Sequence, residues 1–288
     1  MILSTLDKSR KGGAYEQIPS LVLGQRWTPQ LNSRNMMKVV LCVWIEPYIE
    51  NDLSFCVWPV HTPTTSKEGL TLSASTSPLP YTGNKSCIVN TILSVMPKHT
   101  VYIDPCMGSA EVFFRKPRAE KEILNDYNGD LVNLFRVIQN NEKLAYLLGR
   151  LYLSINGELA FKQNKDRLKG VPNILDDVIE TSQIFYDASW EDIQNAAAFL
   201  ENQVYSFSST GQTFGIARRD MSQRLPRLMS AYNRIRDAII LHRDYKDVIT
   251  YAACPGSFIL LDPPYKGTED MYSKANFDIE QHDILFSF

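Results

Sequence analysis

Three aspartates, Asp104, Asp126 and Asp262, each close a short strand-like run: Val101-Tyr102-Ile103, Glu122-Ile123-Leu124 (followed by Asn125-Asp126) and Phe258-Ile259-Leu260-Leu261. Runs of this length and composition read as buried strands, so the three acids would stand at three strand ends. In an open parallel α/β sheet the carboxyl ends of the strands are where ligands bind. After Asp104 comes Pro105-Cys106-Met107-Gly108-Ser109-Ala110, a turn of mostly small residues that lets the backbone approach a ligand closely. It lacks the full G-x-G-x-x-G of a dinucleotide site, so a nucleoside ligand without phosphates fits better than one with a pyrophosphate. Asp126, at the end of the next strand, is placed to accept hydrogen bonds from ribose hydroxyls.

Asp262-Pro263-Pro264-Tyr265 carries the sharpest chemistry. Proline has no N–H, so two in succession leave carbonyls free to point into a cleft. Asp262 accepts hydrogen bonds and Tyr265 offers a flat stacking surface. Together they suit a planar group bearing an NH2, with one N–H to the carboxylate and one to a proline carbonyl. The bland alternative for the same four residues is a plain turn with a buried tyrosine.

The elements that must position these residues follow a strand–turn–helix rhythm after Pro80. Asp130 is suited to cap a helix with Leu131, Leu134, Phe135 and Ile138 on one face. Strand, helix, strand, helix is the pattern of a parallel sheet. From about 141 to 250 the rhythm gives way to helical patterns, including Leu228, Tyr232, Ile235 and Ile239 at helical intervals after Pro226. Tyr205 to Gly215 alternates about a Thr-Gly turn, as a hairpin would. Further upstream, Val39–Ile45 and Leu53–Val60 are β-prone runs that can form a hairpin, each containing Cys-Val-Trp. Nine of the sixteen residues from Thr62 to Ser77 are Ser or Thr, which marks a linker.

Composition narrows the function classes. The 288 residues are 44% hydrophobic and 22% charged, with 30 Lys and Arg against 32 Asp and Glu, so the chain is no histone-like polycation. The longest apolar run, Val39–Ile45, is too short to cross a bilayer, and the first residues lack the apolar core of a secretion signal. Five cysteines are scattered without a C-x-x-C pair, and no two of the four histidines are four residues apart. The expectation is a cytoplasmic, monomeric protein with neither a structural metal nor a membrane partner.

Pro80-Tyr81-Thr82-Gly83-Asn84-Lys85, Asp104-Pro105-Cys106-Met107-Gly108-Ser109, Asn125-Asp126-Tyr127-Asn128 and Asp262-Pro263-Pro264-Tyr265 occur in the order seen in Dam-type DNA adenine methyltransferases. The chain resembles that family over residues 78–288. The resemblance implies an α/β fold: a Rossmann-like methyltransferase core with an inserted, mainly helical target-recognition domain. The implied division is an unassigned extension and linker over 1–77, core over 78–145, the insert over 146–250, and the catalytic strand and loop over 251–288. It also implies S-adenosylmethionine as methyl donor, the 6-amino group of a flipped adenine in double-stranded DNA as acceptor, a bacterial or phage host and a place in restriction-modification. Tyr81 and Lys85 would flank the donor, with Lys85 near its carboxylate. The turn containing Asp104, Pro105 and Gly108 would hold the methionine part, Asp126 the ribose, and Asp262, Pro263 and Tyr265 the target base, with Asp262 also bordering the donor. Asn84 stands where many relatives have glycine, and Tyr81 where many have tryptophan.

Eight basic residues between Arg218 and Lys246, Arg218, Arg219 and Arg224 among them, face three aspartates and could track phosphates; a solvated helix face is the competing reading. Cys106 suits packing better than nucleophilic chemistry, and His282 suits a surface helix. Rival functions are methylation of the cytosine 4-amino group and a non-catalytic DNA-binding remnant. The second arises because the chain after Asp262 looks short of the further strands that the family has. On that basis the Ser257–Leu261 strand is expected to be an open edge, with marginal stability and little methylation as consequences.

Overall fold

The computed structural model describes residues 39–44, 54–59, 76–176, 188–217 and 219–263. Two antiparallel strands, β1 (Val39–Trp44) and β2 (Ser54–Pro59), come first in the chain. They are the hairpin suggested by the two β-prone runs, and Cys42 of one Cys-Val-Trp triplet lies opposite Cys56 of the other. Four further strands follow: β3 (Val101–Asp104), β4 (Lys121–Asn125), β5 (Ile239–Leu241) and β6 (Ser257–Leu261). The sheet order is β2-β1-β6-β3-β4-β5, and the last four strands are mutually parallel.

Side chains alternate across a strand, and here the alternation supplies two apolar faces. Tyr102, Leu124, Ile240, Phe258 and Leu260 pack on one side, in a cluster with Phe113, Leu131 and Phe135. Ile103, Ile123, Leu241, Ile259 and Leu261 pack on the other, against Tyr245 and Val248. Helices supply both layers. On the first side lie α1 (Val89–Val95), α2 (Glu111–Arg115) and α3 (Gly129–Gln139); on the second lies α8 (Tyr245–Ala252).

Between α3 and β5 the chain forms α4 (Asn141–Tyr152), α5 (Glu158–Lys169), α6 (Trp190–Tyr205) and α7 (Leu225–Ile235). Ser189 and Asp192 start α6 with a reciprocal capping box. Leu147, Phe161, Leu200 and Leu228 belong to the same hydrophobic cluster as Phe135, so these helices extend the core of the sheet's first face.

The structure corrects four local expectations. The helix after Asp126 is capped by Asn128, whose side chain accepts the Asp130 N–H at 3.1 Å, and Asp130 sits within the first turn. The periodic run Leu228 to Ile239 is divided: α7 ends at Ile235, and Ile239 begins β5, paired with Ile123. Three residues of strand, one short turn after an amphipathic helix, extend its apolar pattern by chance, which hides the change of period. The segment 205–215 pairs as a hairpin through Gly215 N to Tyr205 O and Phe207 N to Thr213 O, but its tip is a 3-10 turn over Phe207–Ser209. Finally, β6 is not an open edge. Strand β1 lies antiparallel along it, with Leu41 opposite Leu261 and Trp44 opposite Phe258. Unpaired ladder groups are a template for any β-prone segment, and the hairpin supplies one.

Candidate donor and target site

At the carboxyl edge of the parallel strands the expected residues converge on one cleft. Tyr81, Lys85, Asp104, Gly108, Asp126 and Asp262 all line it, and Pro105 joins them. The turn after β3 is stapled to the end of β4: Met107 N–H donates to Asn125 O at 2.9 Å, and Gly108 N–H to Asp126 Oδ2 at 2.9 Å. Gly108 has φ +48°, where a side chain would be strained, and the Tyr81 ring lies 3.6 Å from where its Cβ would be. Tyr81 is held in turn by Asn128, whose amide donates to the phenol oxygen at 3.2 Å.

The three acids differ in environment. Asp104 is buried, and its Oδ2 accepts the Tyr102 hydroxyl at 2.9 Å while Oδ1 has no hydrogen-bond partner. Burial, reinforced by the charges of Asp262 and Asp126, pushes its pKa up to about 8 despite the opposing Tyr102 hydrogen bond. Asp126 accepts the backbone N–H groups of Gly108 and Asn128, yet burial still raises its pKa to about 6. Asp262, at the end of β6, forms an ion pair with Lys85, whose ammonium also donates to Gly83 O at 2.7 Å. Cys106 lines the same cleft, and burial pushes its thiol pKa well up, which keeps it protonated and argues against a nucleophile.

Two groups of residues escaped the sequence reading. Asn125 is fully buried; its amide donates to Pro105 O at 2.8 Å and Arg243 O at 2.9 Å, and its Oδ1 accepts the Arg243 N–H at 2.9 Å. One side chain thus ties together the ends of β3, β4 and β5. Arg243, Asp244 and Tyr245 form the cleft wall beyond β5. Recognising Ile239-Ile240-Leu241 as a strand would have pointed to them by the same strand-end rule that found the acids.

The basic residues between 219 and 246 do not share one face. Arg219, Arg224 and Arg227 line a polar cleft with Asp220. Burial, then the charges of Arg227 and Arg219, lowers the pKa of Arg224. Arg234 instead is buried, with two hydrogen bonds to Glu122 at 2.5 and 2.8 Å. Arg218, Pro264, Tyr265 and His282 lie outside the described residues. Among the described residues no group of three or more His, Cys, Asp or Glu could hold a metal, and no helix is long and apolar enough to cross a membrane.

A parallel four-strand sheet with three acids and a glycine turn at its carboxyl edge defines a mixed α/β protein, consistent with a methyltransferase fold. The chain belongs to the family described as D12 class N6 adenine-specific DNA methyltransferase, which it matches over residues 81–288. It is 22% identical over 192 residues to the type II methyltransferase M.CviBI of Paramecium bursaria Chlorella virus NC1A, covering 66% of this chain and 68% of that protein. It is 23% identical over 192 residues to the type II methyltransferase M1.LlaDCHI of Lactococcus lactis subsp. cremoris, covering 64% of each. These matches thus span about two thirds of each relative.

Proposed function

We propose that this chain moves a methyl group from S-adenosylmethionine to the 6-amino group of an adenine turned out of duplex DNA. The observation that carries this reading is the convergence of Asp104, Asp126, Asp262 and Lys85 on one cleft, within the span that matches the family. The unpartnered Asp104 Oδ1 fits such a donor: a buried acceptor without a partner costs about 1–3 kcal/mol, and an N–H of the methionine ammonium would offset that. In this reading Tyr81 and Lys85 flank the donor and the turn at Asp104, Pro105 and Gly108 holds its methionine part. Asp126 takes the ribose, and Arg243–Tyr245, one strand further along the edge, borders its adenine ring.

When bound, the donor supplies a methyl group activated by its sulfonium. The residues of the chain do the rest. A base inside the stack cannot reach the cleft, so the adenine must be extruded at a cost of a few kcal/mol. Its amine is a weak nucleophile because the lone pair is delocalised into the ring. Asp262 and the Pro263 carbonyl, each accepting one N–H, favour a pyramidal nitrogen and stabilise the positive charge that builds on it. Tyr265 stacks on the base and fixes its plane. Holding nitrogen and methyl in line contributes the remaining acceleration. We place target recognition in the segment 146–250, with Arg218, Arg219 and Arg224 on DNA phosphates. The crowding of Arg219, Arg224 and Arg227 in one cleft supports this, since an anion there relieves their mutual repulsion.

The test is to incubate the purified chain with S-adenosylmethionine and mixed-sequence DNA, then digest the DNA to nucleosides for mass spectrometry. N6-methyladenine is the expected product. N4-methylcytosine in its place would transfer the chemistry to cytosine, and no methylated base at all would refute the activity.

A further inference from the structure

We infer a second nucleotide-binding site, beside the donor cleft, that receives a base of the DNA other than the target adenine; this rests on the DNA-methylation reading above. The site is a cleft of about 300 Å³ walled by α5, α6 and the loop at 210–212, at the lower end of the size range for small-ligand sites. Tyr81, Thr82 and Asn128 border both clefts. None of Lys85, Asp104, Asp126 or Asp262 lines the second one, so its chemistry is not that of the donor.

Two amides set its character. Asn202 and Gln203 project from α6 with only 3% and 6% of their surface exposed, and both line this cleft. Their carbonyl oxygens, Asn202 Oδ1 and Gln203 Oε1, are buried without a hydrogen-bond partner. Two such orphans within one helical turn are costly, and a ligand that draws the amides toward the cleft and donates to them removes the cost. Gln203 also lies against the loop. Gly211, at φ +70°, passes so near that a Cβ there would lie 2.9 Å from Gln203 Nε2.

The rest of the lining selects the ligand. The Tyr81 ring, backed by the buried Phe199 with ring centroids 6.4 Å apart, offers aromatic surface for a flat ring. Lys165 and Lys169 of α5 bring positive charge, partly offset by Asp130 in the lining and by Asp166, which Lys169 meets at 3.0 Å, and Lys165 also secures the loop by donating to Gln212 O at 2.6 Å. A flat ring with donors on its edge and an anionic group at one end is a nucleotide. Asn and Gln pair bidentately with adenine, and both orphaned atoms are acceptors. The site therefore favours a base whose edge carries an amino group over thymine, which has none. It determines one position of the recognition sequence.

Asn202→Leu and Gln203→Met, in the full chain, remove the acceptors at nearly constant volume. Methylation is read by sequencing a DNA library randomised around the target. The expected result is a loss of discrimination at one position on the order of ten- to a hundredfold, with donor affinity unchanged by calorimetry. Lys165→Ala with Lys169→Ala is the companion variant, and should lower DNA affinity and flatten its salt dependence by about one unit of slope per lost phosphate contact. Folded amide variants that keep the wild-type sequence profile would overturn the inference. Should the amide variants fail to fold, an unchanged salt slope in the lysine variant overturns it. A wild-type chain that binds donor but methylates no DNA would instead defeat the underlying activity, and this site with it.

Discussion

Lys85 and Asp262 form an ion pair across the cleft, with side-chain exposures of only 7% and 18%. The residue expected to meet the donor's carboxylate and the residue expected to meet the target amine thus neutralise one another. Removing one partner of such a buried pair strands the other, at about 3–5 kcal/mol. Asp262→Asn, which can still accept from Lys85, is therefore the cleaner test of chemistry than Asp262→Ala. We expect methyl transfer to fall by on the order of 10²–10³ or more, because the charge that stabilises the forming cation is gone, while donor binding largely persists. Near wild-type methylation in the folded variant, measured on digested DNA, would remove Asp262 from the reaction.

Asp126 has two duties. Its carboxylate pins the Gly108 and Asn128 N–H groups and, in the proposed complex, accepts from the ribose. Asp126→Ala should weaken S-adenosylmethionine binding by about 1.5–3 kcal/mol, the range for hydrogen bonds to charged groups. Titration calorimetry giving unchanged affinity for a folded variant would rule out the ribose role.

The raised pKa values carry a pH signature. Burial is the first cause for both Asp104, at about 8, and Asp126, at about 6, so the folded chain favours their protonated forms relative to an unfolded value of 3.8. Their contribution to stability is fully present below about pH 4 and is lost as pH rises through 6 and then 8. The donor is cationic at its sulfonium and donates through its hydroxyls, so it favours the ionised acids. Its affinity should rise between pH 5 and 8, and binding near pH 6.5 should release protons. Calorimetry in two buffers of different ionisation enthalpy detects this, and zero net proton exchange would contradict it.

Strand β1 shields β6, whose five residues are all buried. Deleting residues 1–60 should expose that ladder, lower the thermal midpoint and raise dye binding to apolar surface. A deletion variant that melts at the wild-type temperature without aggregating would show that the hairpin adds nothing to stability.

Arg219 and Arg224 share a cleft with Arg227, and Arg219 also donates to Val204 O. Replacing both Arg219 and Arg224 by Ala should reduce DNA affinity and lower the slope of log K against log salt by up to about two units, with little effect on donor binding. A salt slope equal to that of the wild type would return these residues to a structural role.

Much of the donor site was legible from local signals. Asp104, Asp126 and Asp262 close short strand-like runs, the Pro105–Ala110 turn is rich in small residues, and Tyr81 and Lys85 belong to a motif in the expected order; each is a feature of a few neighbouring residues. The hairpin at 39–59 was legible for the same reason. What tertiary structure decided is which distant segments meet. Nothing near Asn125 announces that its amide will join three strand ends, or near Ile239 that this residue leaves a helical pattern to pair with Ile123. Nor does the apolar composition of β6 say that its outer edge will be taken by β1 rather than left open. Backbone donors and acceptors must find partners once buried, but which partner is set by the whole packed sheet, and a linear pattern records only the need.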